Sequence, residues 1–231
     1  MPQKTIGRLS LADHAYEAIR EGIISLAYEP GKMVSENELA QKLTMSRTPV
    51  REAFRKLAGE DFIEVLPQRG IRISLISERK VKEARFVRES LEASAIRLLA
   101  EQWKPDEPPY REARIRAGEL VKAQSESARD NDPERFLLLD EAFHDLLLEL
   151  AGNRTLIGVI SLMRGHLNRL RSLMLRELNH YLRVVREHER LLEAVAAGDA
   201  SQAEAVMREH LSNLTHEFSS IAAKFPNYFK R

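Results

Sequence analysis

The feature that most constrains this chain is a short apolar helix pattern that is followed, after a tight turn, by a helix pattern with one apolar and one basic face. It runs from Leu39 to Leu57. Val50, Phe54 and Leu57 recur at helical spacing and would seat the second helix on a core. Positions 42–58 contain five Lys or Arg residues and one acid. This layout is typical of a helix-turn-helix whose second helix reads the major groove of DNA.

The same pattern also fits an ordinary amphipathic surface helix, because basic faces are common and most are only solvated. The flanking sequence favours the helix-turn-helix. Ser10–Asp13 and Ser35–Glu38 have capping-box patterns that predict helix starts. Residues 62–66 and 71–75 have strand-like patterns and are joined by residues 67–70, which predicts a β-hairpin. Three helices and a hairpin make a winged helix-turn-helix.

Composition limits the class of protein. The chain has 231 residues, of which 43% are hydrophobic and 31% charged, as expected for one or two globular domains. It has no cysteine, which excludes disulfides and thiolate metal ligands. The longest uncharged run, Thr155–Met163, is far shorter than the ~20 apolar residues of a membrane span, and the first residues lack a signal-peptide core. We therefore expect a cytoplasmic protein with no membrane partner.

The second part of the chain is expected to be helical throughout. It has no strand-like alternation, and Pro, Gly and Asn residues divide it into helix-length segments. The predicted helices are 78–103, 109–130, 133–150, 154–178, 180–197 and 200–223. Their short connections favour an antiparallel bundle of six to seven helices. The predicted fold class is mainly α, with a winged helix-turn-helix in residues 1–76 and an all-helical domain in residues 77–231.

Four polar residues interrupt apolar helix faces in this second part. Asp140 and His144 lie one turn apart on the inward face of one predicted helix. His188 and His210 interrupt the last two helices at similar distances from the turn that joins them, so they should meet. Taken singly, each histidine is more often a hydrogen-bonded core residue, and Asp140 could pair with an arginine. Together the four favour a divalent metal site, because one ion would satisfy all of them.

The remaining histidines have no such placement and are interpreted as surface or local hydrogen-bonding residues. They are His14, His166, His180 and His216.

The first part of the chain resembles the DNA-binding domain of the GntR family of bacterial transcription regulators. The resemblance rests on the Pro30-Gly31 turn, on Ser46-Arg-Thr-Pro-Val-Arg-Glu-Ala53 and on the Arg69-Gly70 wing tip. It implies that the start of the reading helix and the wing tip contact bases and phosphates. The residues concerned are Ser46, Arg47, Thr48, Arg51, Arg69 and Gly70. Two positions depart from the family pattern: Leu26, where a glycine usually ends the first helix, and Asn37, where some members carry a basic residue.

The second part resembles the all-helical FCD domain of the FadR-like branch of that family. The matching sequences are Asp-x-x-x-His, Glu-His and Met-Arg-Glu-His, which contain the four residues above. The resemblance implies that these four are metal ligands: Asp140, His144, His188 and His210. Zinc is the first choice, with nickel and manganese as alternatives. The resemblance further implies a homodimer that binds a pseudo-palindromic operator in double-stranded DNA, and most members are repressors.

The effector implied by the resemblance is a small carboxylate metabolite. Four protein ligands leave positions open on an octahedral ion, and carboxylate oxygens suit them. Candidate residues for binding the far end of such an acid are Arg88, Arg164 and Arg171. Each also fits simple solvation or, for Arg88, an i, i+4 pair with Glu92.

Two other functions stay open. Sites with three histidines and an aspartate also serve metal-dependent hydrolases and lyases, but the helical part has no separate nucleophile or general-base motif, and an enzyme would leave the DNA reader unexplained. A purely structural metal that stiffens the bundle, without an effector, is the other alternative. The predicted function is a metabolite-responsive DNA-binding regulator and not an enzyme.

Overall fold

The structure, a computed structural model, describes residues 10–230 apart from the side chains of residues 214–216. The described residues form two compact units. The first contains the residues up to Ile76 together with Asn227–Lys230, and the second contains Ser77–Pro226. The expected domains, 1–76 and 77–231, do not include this return of the chain to the first unit.

The first unit is a winged helix-turn-helix. Its elements are α1 (Leu11–Ile24), β1 (Met33–Val34), α2 (Glu36–Lys42), α3 (Arg47–Gly59), β2 (Ile63–Leu66) and β3 (Gly70–Ile73). Ser10 and Ser35 are the N-caps of α1 and α2, and their side chains accept hydrogen bonds from the backbone three residues later. Ile19, Phe54 and Leu57 are buried in the shared core.

The wing is a three-stranded antiparallel sheet in the order β1-β3-β2. Val65 pairs with Ile71 across the predicted hairpin, and Met33 pairs with Arg72 on the other side of β3. The sequence predicts the hairpin but not β1, which is only two residues long. At the end of α1, Leu26 is buried and has a φ of +63°, the left-handed conformation that a glycine adopts freely. The turn after α1 therefore has the left-handed residue it needs, although leucine stands where the family usually has glycine.

The second unit is a helical bundle, which confirms the predicted fold class. Its helices are α4 (Glu78–Gln102), α5 (Pro108–Arg129), α6 (Pro133–Leu150), α7 (Arg154–Leu178), α8 (Tyr181–Ala196), α9 (Ala200–His216) and α10 (Phe218–Lys224). The predicted last helix, 200–223, is interrupted at Glu217, which is the N-cap of α10. Among the described residues, no helix is both long and apolar enough to cross a membrane.

The bundle core brings α4, α6, α8 and α9 around a shared interior. Apolar side chains of these helices, such as Phe143, Leu191 and Met207, are buried in it. After α10, a short turn leads to β5 (Phe229–Lys230), which pairs with β4 (Ile76–Ser77).

Candidate functional sites

The structure brings together Asp140, His144, His188 and His210 in the second unit. Their candidate ligand atoms all lie within 4.8 Å of one another, and all four side chains are buried. Helix α6 supplies Asp140 and His144 from successive turns, and the hairpin of α8 and α9 supplies the other two. Three helices of the bundle thus contribute to one compact cluster.

Each histidine of the cluster has an oxygen atom close to its Nδ1 atom; for His188 and His210 the contact is a hydrogen bond, and for His144 it is a short ion-pair contact without hydrogen-bond geometry. The contacts are His144 Nδ1 to Glu92 Oε2 at 2.8 Å, His188 Nδ1 to Gln124 Oε1 at 2.8 Å, and His210 Nδ1 to Glu187 Oε2 at 2.7 Å. An acceptor at Nδ1 favours the tautomer with the proton on Nδ1 and the lone pair on Nε2. The Nε2 atoms of all three rings face the centre of the cluster, and for His188 and His210 the hydrogen bond at Nδ1 leaves the lone pair on that Nε2 atom.

The central distances suit ligands of one ion. His144 Nε2 and His210 Nε2 are 3.2 Å apart, and His188 Nε2 is 3.6 Å from Asp140 Oδ1. Metal–nitrogen bonds of about 2.0–2.1 Å put neighbouring ligand atoms roughly 3.0–3.4 Å apart. Among the described residues, His188 Nε2 and Asp140 Oδ2 have no hydrogen-bond partner although they are buried. Such unpartnered atoms are costly unless a cation binds them. The residues therefore fit a metal ion.

The protonation states also suit metal binding. Burial alone would raise the pKa of Asp140, but the charges of Arg171 and the histidines lower it well below its usual range. Burial lowers the pKa of His144, and it lowers the pKa of His188 well below its usual range with a further contribution from His210. An ionised carboxylate and neutral imidazoles are the forms that bind divalent metals.

A cavity adjoins the cluster. Its polar lining residues are Arg88, Arg171, His180, Arg183, Glu187, His210 and Asn213. Because His210 belongs to the cluster and also lines the cavity, the cavity and the cluster share a wall. Arg171 Nη2 is 2.5 Å from Asp140 Oδ1, and Arg88 Nε donates to Glu92 Oε1 at 2.5 Å.

The three arginines considered for effector binding have different surroundings. Arg88 and Arg171 line the cavity. Arg164 is not among its described lining residues and makes a two-pronged contact with Asp145, at 2.9 and 2.6 Å. Sequence reasoning missed Arg183, which lines the cavity and donates to Glu217 at 3.2 Å.

The other histidines whose side chains the structure describes are not part of the cluster. His14 is exposed on α1, and the side chain of His216 is outside the described residues. His180 is 3.4 Å from Glu217 and lines the cavity, a position that its sequence context does not reveal.

The basic surface of the first unit lies at the start of α3. Ser46, Arg47, Thr48 and Arg51 are all exposed there. Ser46 is the N-cap residue, but its side chain makes no capping hydrogen bond. Its hydroxyl is therefore available to a phosphate oxygen. The wing tip exposes Arg69 and Gly70, and Gly70 has a φ of +100°.

Comparison with known proteins identifies both units. Residues 11–73 match the model of bacterial regulatory proteins, gntR family, and residues 83–213 match that of the FCD domain. An uncharacterized HTH-type transcriptional regulator in an unstable DNA locus of Streptomyces ambofaciens is 34% identical over 227 residues, which are 98% of this chain and 92% of that protein. The chain belongs to the GntR family.

Two further proteins are similar to the chain over most of its length. The HTH-type transcriptional repressor RspR of Escherichia coli K12 is 25% identical, over 93% of this chain and 91% of its own. The fold is shared with E. coli McbR/YncC, which superposes with a TM-score of 0.77 at 20% identity and covers 94% of this chain and 100% of its own.

Membership of the GntR family establishes the general function. The protein is a DNA-binding transcription regulator with an FCD domain, and not an enzyme. FCD domains often bind metal, and the buried Asp–His cluster of this one could hold a metal ion.

Proposed function

We propose that the protein is a metal-containing repressor that responds to a small carboxylate metabolite. The observation that carries this proposal is the convergence of three Nε2 atoms and Asp140 beside a cavity with basic walls. A nitrogen-rich set with one carboxylate favours zinc, with nickel and manganese as alternatives. When bound, the ion would supply a Lewis-acidic platform for carboxylate oxygens.

The charges around the cavity favour an anion. Among the described residues that line it, Arg88, Arg171 and Arg183 are positive and Glu187 is negative. Glu187 is engaged with His210, and Arg88 with Glu92. If Asp140 shares its charge with a metal ion, Arg171 becomes free to pair with a second carboxylate. Arg171 is therefore our first choice for binding the effector, Arg88 the second, and Arg164 the third.

Metal content tests the first half of this proposal. Native protein should contain about one divalent ion per chain by elemental analysis, and His188→Ala should lose it because one of four ligands is gone. His14→Ala, an exposed histidine on α1, is the matched control and should keep the ion. Wild-type protein that has no stoichiometric metal, and whose melting a chelator leaves unaltered, would contradict the metal site.

Effector titration tests the second half. Small molecules that co-purify with the native protein are identified by mass spectrometry, and a panel of hydroxy acids and sugar acids is titrated against protein–DNA complexes. An active acid should release DNA from wild-type protein at lower concentration than from Asp140→Ala. Equal potency on both would show that the metal is not the platform. Release by none of the acids, with metal present, would favour the purely structural metal.

The DNA-reading role is proposed for a homodimer in the cytoplasm. One reading helix covers only a few base pairs, so two copies should read a short pseudo-palindrome. We propose that Arg51 contacts a base edge and that Ser46, Arg47 and Thr48 contact the backbone, with Arg69 and Gly70 placing the wing over the minor groove. Their exposure supports this assignment. Footprinting on a selected duplex should show two half-sites related by a twofold axis.

A further inference from the structure

A carboxylate at the start of α2 holds the exposed arginines of α3. Arg51 donates from Nε to Glu36 Oε1 at 3.0 Å and from Nη2 to Glu36 Oε2 at 2.8 Å. Arg47 Nη2 donates to the same Oε2 atom at 3.2 Å. The Arg51 contact is therefore a two-pronged ion pair, the arrangement that best fixes the plane of a guanidinium group.

The backbone of the first unit determines where Glu36 lies. It is the first residue of α2, directly after the N-cap Ser35, and a helix N-terminus favours a carboxylate. The hydrogen bond from Arg51, with a smaller contribution from Arg47, lowers the pKa of Glu36 to about 2, against the opposing effect of burial. Glu36 is therefore negatively charged at neutral pH.

This ion pair fixes the orientation of the Arg51 side chain more than it stabilises the fold. The Arg51 side chain is 52% exposed and that of Glu36 23%, and pairs with this exposure contribute little to folding. A guanidinium group has two hydrogen-bonding edges. Glu36 takes the edge formed by Nε and Nη2, which leaves the edge formed by Nη1 and Nη2. That second edge offers the two parallel N–H groups that match O6 and N7 of guanine.

We propose that Glu36 is a positioning residue for DNA recognition: it holds one edge of Arg51 so that the other edge faces a guanine in the major groove. This inference rests on the proposed base-reading role of Arg51. The Glu36 carboxylate also repels phosphate at this point of the surface, so Arg51 is directed away from the DNA backbone. Removal of Glu36 should therefore broaden base preference more than it weakens binding.

The test uses the full-length chain and a randomised pool of DNA duplexes. Base preferences of wild type, Arg51→Ala and Glu36→Gln are determined by selection from this pool at one fixed salt concentration. Arg51→Ala should lose preference for one base pair in each half-site by roughly 5- to 100-fold. Glu36→Gln should lose preference at that same base pair, by roughly 5-fold or more, because a neutral amide cannot accept both hydrogen bonds from Arg51.

Two further proteins make the comparison specific. Glu38→Gln removes the same charge from an exposed position in the first turn of the same helix and should keep the wild-type preference. In the double variant Glu36→Gln/Arg51→Ala, the Glu36 change should have no further effect on preference, because its target is gone. Thermal melting checks that each variant folds. Should Glu36→Gln fail to fold, Glu36→Asp serves, because its shorter side chain cannot reach both nitrogens and should give a partial loss.

The outcomes separate this inference from the proposed function. If the base preference of Arg51→Ala equals that of wild type, both the base-reading role of Arg51 and the positioning role of Glu36 are overturned. If Arg51→Ala changes the base preference and Glu36→Gln keeps that of wild type, only the positioning role of Glu36 is overturned. Tighter binding of Glu36→Gln to every duplex, with preference unchanged, would mean that Glu36 only competes with DNA for Arg51, which also overturns it.

Discussion

Glu187 Oε2 lies 2.7 Å from Nδ1 of His210, while the other oxygen of Glu187 accepts a hydrogen bond from Asn213 at 2.8 Å. Burial raises the pKa of Glu187, but His210 and its other neighbours lower it below its usual value. The carboxylate is therefore ionised and accepts the hydrogen bond of the His210 ring at Nδ1, which fixes the orientation of that ring. Since all three residues line the cavity, a ligand there would act on the cluster through this contact.

This contact predicts that Glu187→Gln weakens metal binding without removing a ligand. Loss of the negative charge at His210 Nδ1 should lower affinity for zinc by about 10- to 100-fold. Competition with a chromophoric chelator measures it. Glu189→Gln, an exposed glutamate on the same helix, provides the control. Equal affinities of the two variants would contradict the role of Glu187.

The His188→Ala variant should be less stable as well as metal-depleted. It leaves Oε1 of the buried Gln124 without the partner described at His188 Nδ1 and removes a neighbour of Asp140. An unsatisfied buried polar group costs about 1–3 kcal/mol, so the free energy of unfolding of the second unit should fall by that order. Denaturant unfolding of chelated samples isolates this effect from loss of the ion. A variant as stable as chelated wild type would mean that Gln124 finds another partner.

Salt dependence should reveal which arginines contact phosphate. If Arg47 neutralises one phosphate per half-site, Arg47→Ala should weaken binding to all duplexes alike. It should reduce the slope of log affinity against log salt by about 0.9 for each phosphate lost. Titration of a selected duplex at several salt concentrations measures the slope. Arg111→Ala, an exposed residue of α5, should keep the wild-type slope. An Arg47→Ala slope equal to this control would remove Arg47 from the phosphate contacts.

The first unit should lose stability in alkaline solution through Tyr16. Burial and the hydrogen bond to Glu60 raise the pKa of Tyr16, whose hydroxyl is 2.8 Å from Glu60 Oε1. A raised pKa in the folded state means that the stabilisation is complete below the unfolded value of about 10 and is lost as pH rises above it. Unfolding between pH 8 and 11 should show this loss in wild type. Tyr16→Phe should reduce the slope, whereas Tyr110→Phe should leave it unchanged.

The cluster could be predicted from sequence because polar residues are conspicuous on apolar helix faces. Asp140 and His144 stand out among Phe136, Phe143 and Leu147 for this reason. Gln124 carries the same signal, since it continues the buried face of α5 that includes Val121. The sequence has no comparable signal for which residue of a neighbouring helix a side chain contacts. Thus the contact of Arg164 with Asp145 depends on how α6 and α7 pack, which periodicity alone does not determine.

The fold class could be predicted for a related reason. Helices and the wing hairpin are specified by local patterns, caps and turns, and their predicted positions agree with the structure apart from the break at Glu217. Two features depend on contacts between distant residues: the pairing of β1 with β3, and that of β4 with β5. Neither β1 nor β5 has more than two residues, so neither leaves a periodic pattern to detect.

The return of Asn227–Lys230 to the first unit also affects how the chain is made. A ribosome releases the helix-turn-helix early, but β5 is synthesised only after the entire bundle. A contact between such distant residues forms late, because a long loop must close first. The first unit therefore remains incomplete until the helices of the second unit have been synthesised. A fragment that stops before Asn227 would leave β4 unpaired, so a fragment intended to preserve the native reader should carry the β5 segment with it.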